Sequence, residues 1–488
     1  MYSSDDSNTG PNKAGADYAR TRYTISNFYA RYSYEKLVNH KINLVAGYSH
    51  EEYDYRSFSA YRKLGLISEQ LPTMTAGSAD EQYNSEGKTD YALNSAFSRL
   101  EYSYKDRYML DGVFRYDGSS KFAKGHKWSP FLGFSGGWIV SEENFMKGMK
   151  NTIDFFKIRV SWGELGNQSG IGLYDYISSV TIGGSYPMGS ATSPYQAQNA
   201  MLGDMASTTR SWEKIESKNI GIDFRAFNSG LTGLIDVYIK DNKDMFFSRE
   251  YPQVLGTTPP SINGAHLRTK GWEFEIGWRD KIKQINYFIK LNLSNNNTEV
   301  IELADAIIPK QGTNNYVQGY PALSYFGYQY DGLIQTDAEL TEYKSSFTSG
   351  IPNTLKLGDA RYKDMDGDGK LEALPYSVDE NGNPTSTSGD LVQIGDAGQH
   401  CLYGINLGIS WKNFDFSSFF QGVVNWQVIS TIRPCNQWFE PIEGYFFHQT
   451  WAPDRTDAMY PRLSQTGAVK TYNYQYSDAP FKMYNNRY

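Results

Sequence analysis

The chain has 488 residues and a formal net charge of −7, from 47 Lys and Arg against 54 Asp and Glu. Its basic residues stand singly, which excludes the cationic stripe that a nucleic-acid partner requires. No apolar run approaches the roughly 18 residues of a membrane-spanning helix, and two cysteines, Cys401 and Cys435, are too few for a disulfide framework or a thiolate metal centre.

Aromatic residues make up 15% of the chain, yet mean hydropathy is −0.57. Many rings in a polar chain predict strands with one apolar and one polar face. The first clear element spans 94–122. There Leu100, Tyr102 and Tyr104 alternate with Arg99, Glu101 and Ser103, and Tyr108, Leu110, Phe114 and Tyr116 alternate with Arg107, Asp111 and Arg115. Two period-two arms joined at Lys105-Asp106 predict a hairpin. Next, "WSPFLGFSGGWIV" (128–140) sets Leu132, Phe134, Trp138 and Val140 against Gly133, Ser135 and Gly137. "FFKIRVSWGE" (155–164) sets Phe156, Ile158, Val160 and Trp162 against Lys157, Arg159 and Ser161. "GWEFEIGWRD" (271–280) does the same with Trp272, Phe274, Ile276 and Trp278 against Glu273, Glu275 and Arg279.

Arms of about ten residues suit a tilted bilayer crossing of roughly 9 to 11 residues, whereas globular strands average about 5 to 6. Tyr and Trp near strand ends fit the aromatic girdles of a barrel. Short joins at Lys105-Asp106, 228–233, 279–286 and 411–414 alternate with long excursions at 54–90, 167–212, 241–266 and 301–400. These features predict an all-β transmembrane antiparallel β-barrel with short periplasmic turns and long extracellular loops.

Nine segments carry a resemblance. They are "FRYDGSSKF" (114–122), "SPFLGFSGGWIVSEENF" (129–145), "FFKIRVSWGELGNQSGIGLYDY" (155–176), "SWEKIESKNIGIDF" (211–224), "TKGWEFEIGW" (269–278), "GYPALSYFGYQYDGLIQ" (319–335), "LGDARYKDMDGDG" (357–369), "YGINLGISWKNFDFSSFFQG" (403–422) and "WAPDRTDAMYPRLS" (451–464). In this order they resemble the barrel of the SusC/RagA family of TonB-dependent outer-membrane transporters of the Bacteroidetes, over essentially the whole chain. The resemblance implies uptake of large nutrients, oligosaccharides or peptides, with a SusD-like surface lipoprotein as lid and TonB as the coupling partner through a plug and TonB box. It also implies that residues 1–488 are a barrel domain incomplete at both ends, about a dozen strands of a 22-stranded barrel. Signal, carboxypeptidase-like domain, plug and final strands would lie outside it, and Met1 would be an internal or artificial start. No enzymatic activity is expected. The rival readings are a surface glycan-binding or adhesin β-protein without transport, and a secreted β-rich glycoside hydrolase.

Other motifs weigh little. Gly133, Ser135 and Gly137 match G-x-S-x-G, but a nucleophile elbow needs a strand-to-helix turn and Ser135 sits inside an alternating strand. The six histidines show no zinc-ligand spacing. Glu273 and Glu275 fit polar strand positions better than a glycosidase pair. The rings of 316–330 and 438–451 suit either sugar and peptide contacts or packing between loops.

The turn "RYKDMDGDGKLEA" (361–373) carries half of a calcium loop: Asp364, Asp366 and Asp368 at alternate positions with Gly369 after them. An EF-hand needs a closing Glu twelve positions in, and Pro375 stands there. Three carboxylates on one turn repel unless a cation, or Arg361, Lys363 and Lys370, offsets them. The expected site is a structural calcium held by Asp364, Asp366 and Asp368 with the Lys370 carbonyl, and no cofactor is required. The family resemblance adds an acid ahead of an "IG" pair, which here points to Asp390.

Overall fold

The computed structural model describes residues 13–63, 73–190, 193–248, 252, 254, 256–304, 312–379, 384–386, 388–430, 444–464 and 467–485. Strands β1 (Lys13–Tyr34), β2 (His40–Lys63), β3 (Gln82–Tyr104), β4 (Tyr108–Ser119), β5 (Trp128–Ile139) and β6 (Ile153–Asn167) each pair with the next. A separate hairpin follows, β7 (Val180–Ser190) with β8 (Ser193–Leu202). The main sheet resumes with β9 (Glu213–Ala226) against β6 and runs on through β10 (Leu231–Phe247), β11 (Ile262–Ile282) and β12 (Ile285–Leu303).

A long insertion holds β13 (Gly312–Asn315), β14 (Ser324–Tyr328), β15 (Tyr330–Leu333), helix α1 (Asp337–Ser346), β16 (Ala360–Tyr362), β17 (Ser377–Val378), β18 (Pro384–Ser386) and β19 (Leu391–Asp396). Then β20 (Gln399–Trp411) joins β12, followed by β21 (Phe414–Ile429). After α2 (Gly444–Phe447) and α3 (Gly467–Asn473), β22 (Met483–Asn485) pairs with β21. The result is a 13-stranded antiparallel meander, open among the described residues, with β1 and β22 at its edges.

Register sorts the side chains into two faces. Across β6, β9, β10 and β11, Val160, Ile220, Val237 and Trp272 lie side by side, each more than a third exposed. Burying apolar surface is worth about 25 cal/mol per Å², so a continuous face of this kind belongs against lipid. One residue along, Arg159, Gly221, Asp236, Glu273 and Ser294 form the matching row on the opposite face. The alternation expected from sequence is thus the division between lipid and lumen.

Aromatic girdles are present too. His40, Tyr104, Tyr108 and Trp138 follow one another around the turn rim with ring centroids 4.9, 6.2 and 6.4 Å apart. Further along β4, Tyr116 stacks on Trp128 at 5.1 Å. The eight residue steps from Tyr108 to Tyr116 span about 27 Å of strand. At a tilt near 40° that is roughly 20 Å along the membrane normal, close to the roughly 25 Å apolar band of such barrels.

Among the described residues, the tight turns that join neighbouring strands of the main sheet lie at one rim. Asn39, Lys105, Asp106, Phe227, Lys283 and Lys412 adopt positive φ there, the conformation that lets a short turn match the strand twist. Neighbouring turns are tied by Lys105 N donating to Asn39 O (2.7 Å), Ile139 N to Arg107 O (2.8 Å) and Arg279 N to Gly230 O (2.8 Å).

Three expectations need correction. The long strands of the main sheet run from 12 residues in β4 and β5 to 24 in β2, beyond the expected ten. The excursion placed at 54–90 shrinks to 64–81, because β2 and β3 stay paired beyond the bilayer through Tyr53–Tyr91 and Tyr61–Tyr83 stacks and an Arg56–Glu86 ion pair at 2.8 Å. That stretch is charged, and its alternation was hidden by its polarity. Likewise 241–266 narrows to 248–261.

Candidate functional site

Two regions on the side opposite the tight turns are built as sites: a folded loop module and the lumen wall beneath it. The module joins the β12–β20 insertion to residues 444–482. Its core packs Phe326, Leu333, Ile334, Leu355, Tyr362 and Leu391 with Trp451, Val469 and Tyr472. Thr336 caps α1 by accepting from Glu339 N (3.2 Å), while Glu339 accepts from Gln335 N (2.7 Å). The T-x-x-E pattern at 336–339 is a capping signal that the sequence reading passed over.

Asp359, fully buried, clasps the two halves. It accepts from Arg462 Nη2 (2.8 Å), Asn473 Nδ2 (2.9 Å) and Lys356 N (2.7 Å). Beside it Tyr362 Oη donates to Tyr472 O (3.1 Å), Tyr362 N donates to Tyr343 Oη (2.9 Å), and the Tyr343 and Tyr472 hydroxyls lie 2.6 Å apart. Burial holds the Tyr362 phenol far above its usual range and pushes Tyr330 up to about 12. These tyrosines are packing groups at any physiological pH.

The loop rings resolve accordingly. Tyr325, Phe326 and Tyr328 are buried, Tyr320 packs edge-on to Phe326, and Trp451 Nε1 donates to Gln335 Oε1 (2.9 Å). These buried rings hold the loops together, whereas Tyr316 is exposed (42%). Trp438 and Phe439 lie outside the described residues.

The acidic turn follows β16, and the three predicted carboxylates do converge. One oxygen from each of Asp364, Asp366 and Asp368 lies within 4.8 Å of the others. The turn is drawn tight by its own backbone, with Gly367 N and Gly369 N donating to Asp364 (2.6 and 2.8 Å) and Asp368 N to Asp366 (3.2 Å). Gly367 and Gly369 supply the positive φ this needs.

Lys370 contributes its ammonium, which donates to Asp368 Oδ2 (3.0 Å), and its N–H, which donates to Asp368 Oδ1 (2.8 Å). That pairing lowers the Asp368 carboxyl pKa and raises that of Lys370. Asp390, fully buried, accepts from Met365 N (2.6 Å) and Glu372 N (2.9 Å), so it braces both ends of the turn. Burial pushes its pKa up, and the nearby charges of Asp366 and Asp364 push it further. The oxygen donors are of the kind that suits a hard cation.

In the lumen wall Arg159 donates through Nε to Asp223 (2.8 Å) and through Nη2 to Asp236 (2.8 Å). Gly221 makes room for this: a Cβ there would lie 2.5 Å from Asp236 Oδ1 and 2.7 Å from Arg159 Cζ. Arg99 pairs with Asp111 (2.8 Å) and Glu101 (2.9 Å), and Lys290 with Glu275 (2.8 Å). Ser135 stands in mid-ladder opposite Asp111 and Ser161, as its strand position predicts.

A meander with a lipid face, a charged lumen face, tight turns at one rim and folded loops at the other defines an outer-membrane β-barrel. A family model described as "TonB dependent receptor-like, beta-barrel" matches residues 1–425, and the chain belongs to that family. TonB-dependent receptor P3 of Formosa agariphila is 26% identical over 488 residues, covering 97% of this chain and 46% of the relative. TonB-dependent receptor SusC of Bacteroides thetaiotaomicron is 29% identical over 355 residues, covering 67% of this chain and 31% of SusC. Among solved structures, that of the RagAB peptide transporter superposes with a TM-score of 0.72 at 20% identity, over 94% of this chain and 48% of that one. At that identity the likeness speaks to the fold. The chain is SusC/RagA-like, and it spans less than half the length of these curated relatives.

Proposed function

We propose that this chain supplies wall and extracellular loops to a TonB-dependent importer of large nutrients, oligosaccharides or peptides, working with a SusD-like surface lipoprotein. The observation that carries the reading is the pairing of a charged lumen face with a folded loop module above it, in a chain of the TonB-dependent receptor family. The charged wall keeps a wide lumen wet. The module, fixed by the Asp359 clasp, gives a lid something rigid to close against, and TonB would move a plug held elsewhere in the protein.

The test is growth of the source bacterium, with the whole gene deleted, on a panel of polysaccharides and peptides. Loss of growth on one class, copied by depleting TonB, is the expected result. Growth unchanged on every substrate would sink the reading.

For the acidic turn we propose a structural calcium held by Asp364, Asp366 and Asp368, with the Lys370 carbonyl completing the donor set and the Lys370 ammonium displaced. Its support is the convergence of three carboxylates on one tight turn. Calcium titrated into chelator-treated full-length protein should bind at one site that Asp366→Asn weakens at least tenfold. Equal uptake by parent and variant would overturn it.

A further inference from the structure

We propose that a groove on the lipid face of the barrel holds an outer-leaflet lipid, with one acyl chain along the groove and the phosphate of its headgroup on Lys218 and Lys270. This stands on the lipid face and is independent of what the barrel transports.

The groove, of about 530 Å³, crosses β4, β5, β6, β9 and β10. Leu110, Gly136, Val160, Ile220 and Val237 follow one another along it as ladder partners, and Phe134 and Trp162 line it too. Four strand spacings make it about 19 Å long, comparable with one leaflet's share of a roughly 30 Å hydrocarbon core. Gly136 helps to set its depth. A Cβ there would meet Val160 Cγ2 at 3.4 Å and Leu110 Cδ2 at 3.8 Å, which is ordinary contact, so a larger residue fits the backbone and would extend into the groove.

The groove ends at a cation. Lys218 lines it, with Trp162 as its ladder partner on one side and Ile239 on the other. Register fixes the height. Lys218 is eight residue steps from Ala226 and Lys270 eight from Trp278, and both Ala226 and Trp278 pair with Leu231 at the turn rim. Tyr116 stands the same number of steps from Tyr108, so both lysines reach the loop-side girdle, at the level of the lipid headgroups. The row there reads Phe134, Trp162, Lys218, Ile239, Lys270 and Asn297, and both lysines are exposed.

Lys218 is held in place. Glu216, only 7% exposed, accepts from Trp162 Nε1 (2.8 Å) and Lys218 Nζ (2.9 Å) and also pairs with Lys243. It fixes the girdle tryptophan and the lysine in one frame. An ammonium carries three donors, so the Glu216 contact leaves Lys218 able to bind a phosphate as well. The next row toward the loops carries Glu164, Glu216, Asp241, Arg268 and Glu299. In it Asp241, 2% exposed, accepts from Arg268 Nε (2.6 Å), so the two buried acids are already paired and the headgroup row beneath them is cationic. A lysine on a plain lipid face needs only to snorkel. Seated at the end of an apolar groove, it matches both parts of a lipid, and basic pockets at membrane surfaces bind anionic headgroups.

The test is native mass spectrometry of the full-length protein in detergent with dipalmitoyl phosphatidic acid. Dipalmitoylglycerol supplies the chains without phosphate, and inorganic phosphate the anion without chains. The double change Lys218→Gln and Lys270→Gln removes the headgroup contact, and Gly136→Leu fills the groove. Each variant should bind phosphatidic acid at least tenfold more weakly with heat-modifiable migration unchanged, and dipalmitoylglycerol should bind the parent at least tenfold more weakly. Equal binding of phosphatidic acid by the parent and either variant overturns the proposal, as does equal binding of dipalmitoylglycerol. Displacement of the lipid by an equal concentration of inorganic phosphate overturns it too, since the lysines would then be a free-anion site. So does a parent that is dimeric in detergent and turns monomeric with Gly136→Leu while keeping its lipid, because the groove would then seat a second copy. The exposed lysine pair decides the matter if Gly136→Leu does not assemble.

Discussion

Arg462 lies 103 residues beyond Asp359 in sequence, yet its guanidinium sits 2.8 Å from the buried Asp359 carboxylate. With the shared apolar core, this pair joins two loops, entering from different strands, into a single folded body. Removing one partner of a buried pair typically costs about 3–5 kcal/mol, so Asp359→Ala should open the module while leaving the barrel sheet alone. Limited proteolysis should cut between α1 and β16 in the variant and not in the parent. Heat-modifiable migration should be the same in both. A variant as resistant as the parent would show that the apolar core alone holds the module.

The turn braced by Asp390 should respond to pH in the direction its raised pKa sets. An unfolded Asp titrates near about 3.9, and in the folded module the proton is held more tightly. Folding therefore binds protons, and the module loses stability as pH rises from the ordinary Asp value through the raised one. After correction for intrinsic exchange rates, the Met365 and Glu372 amides should be more protected at pH 4.5 than at pH 7.5. Calcium should restore protection at the higher pH by offsetting Asp364 and Asp366. Protection independent of both pH and metal would contradict this account.

The lumen network around Arg159 should matter to barrel assembly. Replacing Arg159 by Met leaves Asp223 and Asp236 without their shared donor, and a charged hydrogen bond is worth about 1.5–3 kcal/mol. The expected loss is about 2 kcal/mol in urea unfolding of detergent-solubilised full-length protein. Gly221→Leu should be at least as damaging, because its side chain would occupy the space the pair fills. Unchanged unfolding midpoints in both would remove any structural role for the network.

At the turn rim, Lys283 adopts φ +54° between β11 and β12. An L-residue held there costs roughly 1–2 kcal/mol, and glycine does not. Lys283→Gly should therefore raise stability by about 1 kcal/mol in the same assay. A destabilised variant would mean that the lysine side chain contributes something the backbone argument omits.

Much of the barrel was legible from residues alone, for a definite reason. A strand that crosses lipid with one face and lines water with the other must alternate strictly, so Leu110 and Phe114 against Asp111 and Arg115 announce both the element and its orientation. Short turns and long loops follow from the same topology, since only one rim carries folded loops. The converging acids of the turn were equally local: Asp364, Asp366 and Asp368 lie two residues apart, and one glycine-rich turn brings them together.

What sequence did not disclose depends on contacts between distant segments. The β2–β3 extension reads as a charged loop until Tyr61 is placed on Tyr83. The rings of 316–330 leave a sugar or peptide platform open as the second reading beside loop packing, until Tyr472 and Trp451 close over Tyr325, Phe326 and Tyr328 and their neighbours. Asp359 looks like any loop acid, because nothing nearby in sequence indicates that Arg462 and Asn473 will surround it. Alternation is a property of one strand and its two solvents, whereas burial of a loop side chain is set by whichever other loop folds onto it, and only the tertiary structure decides that.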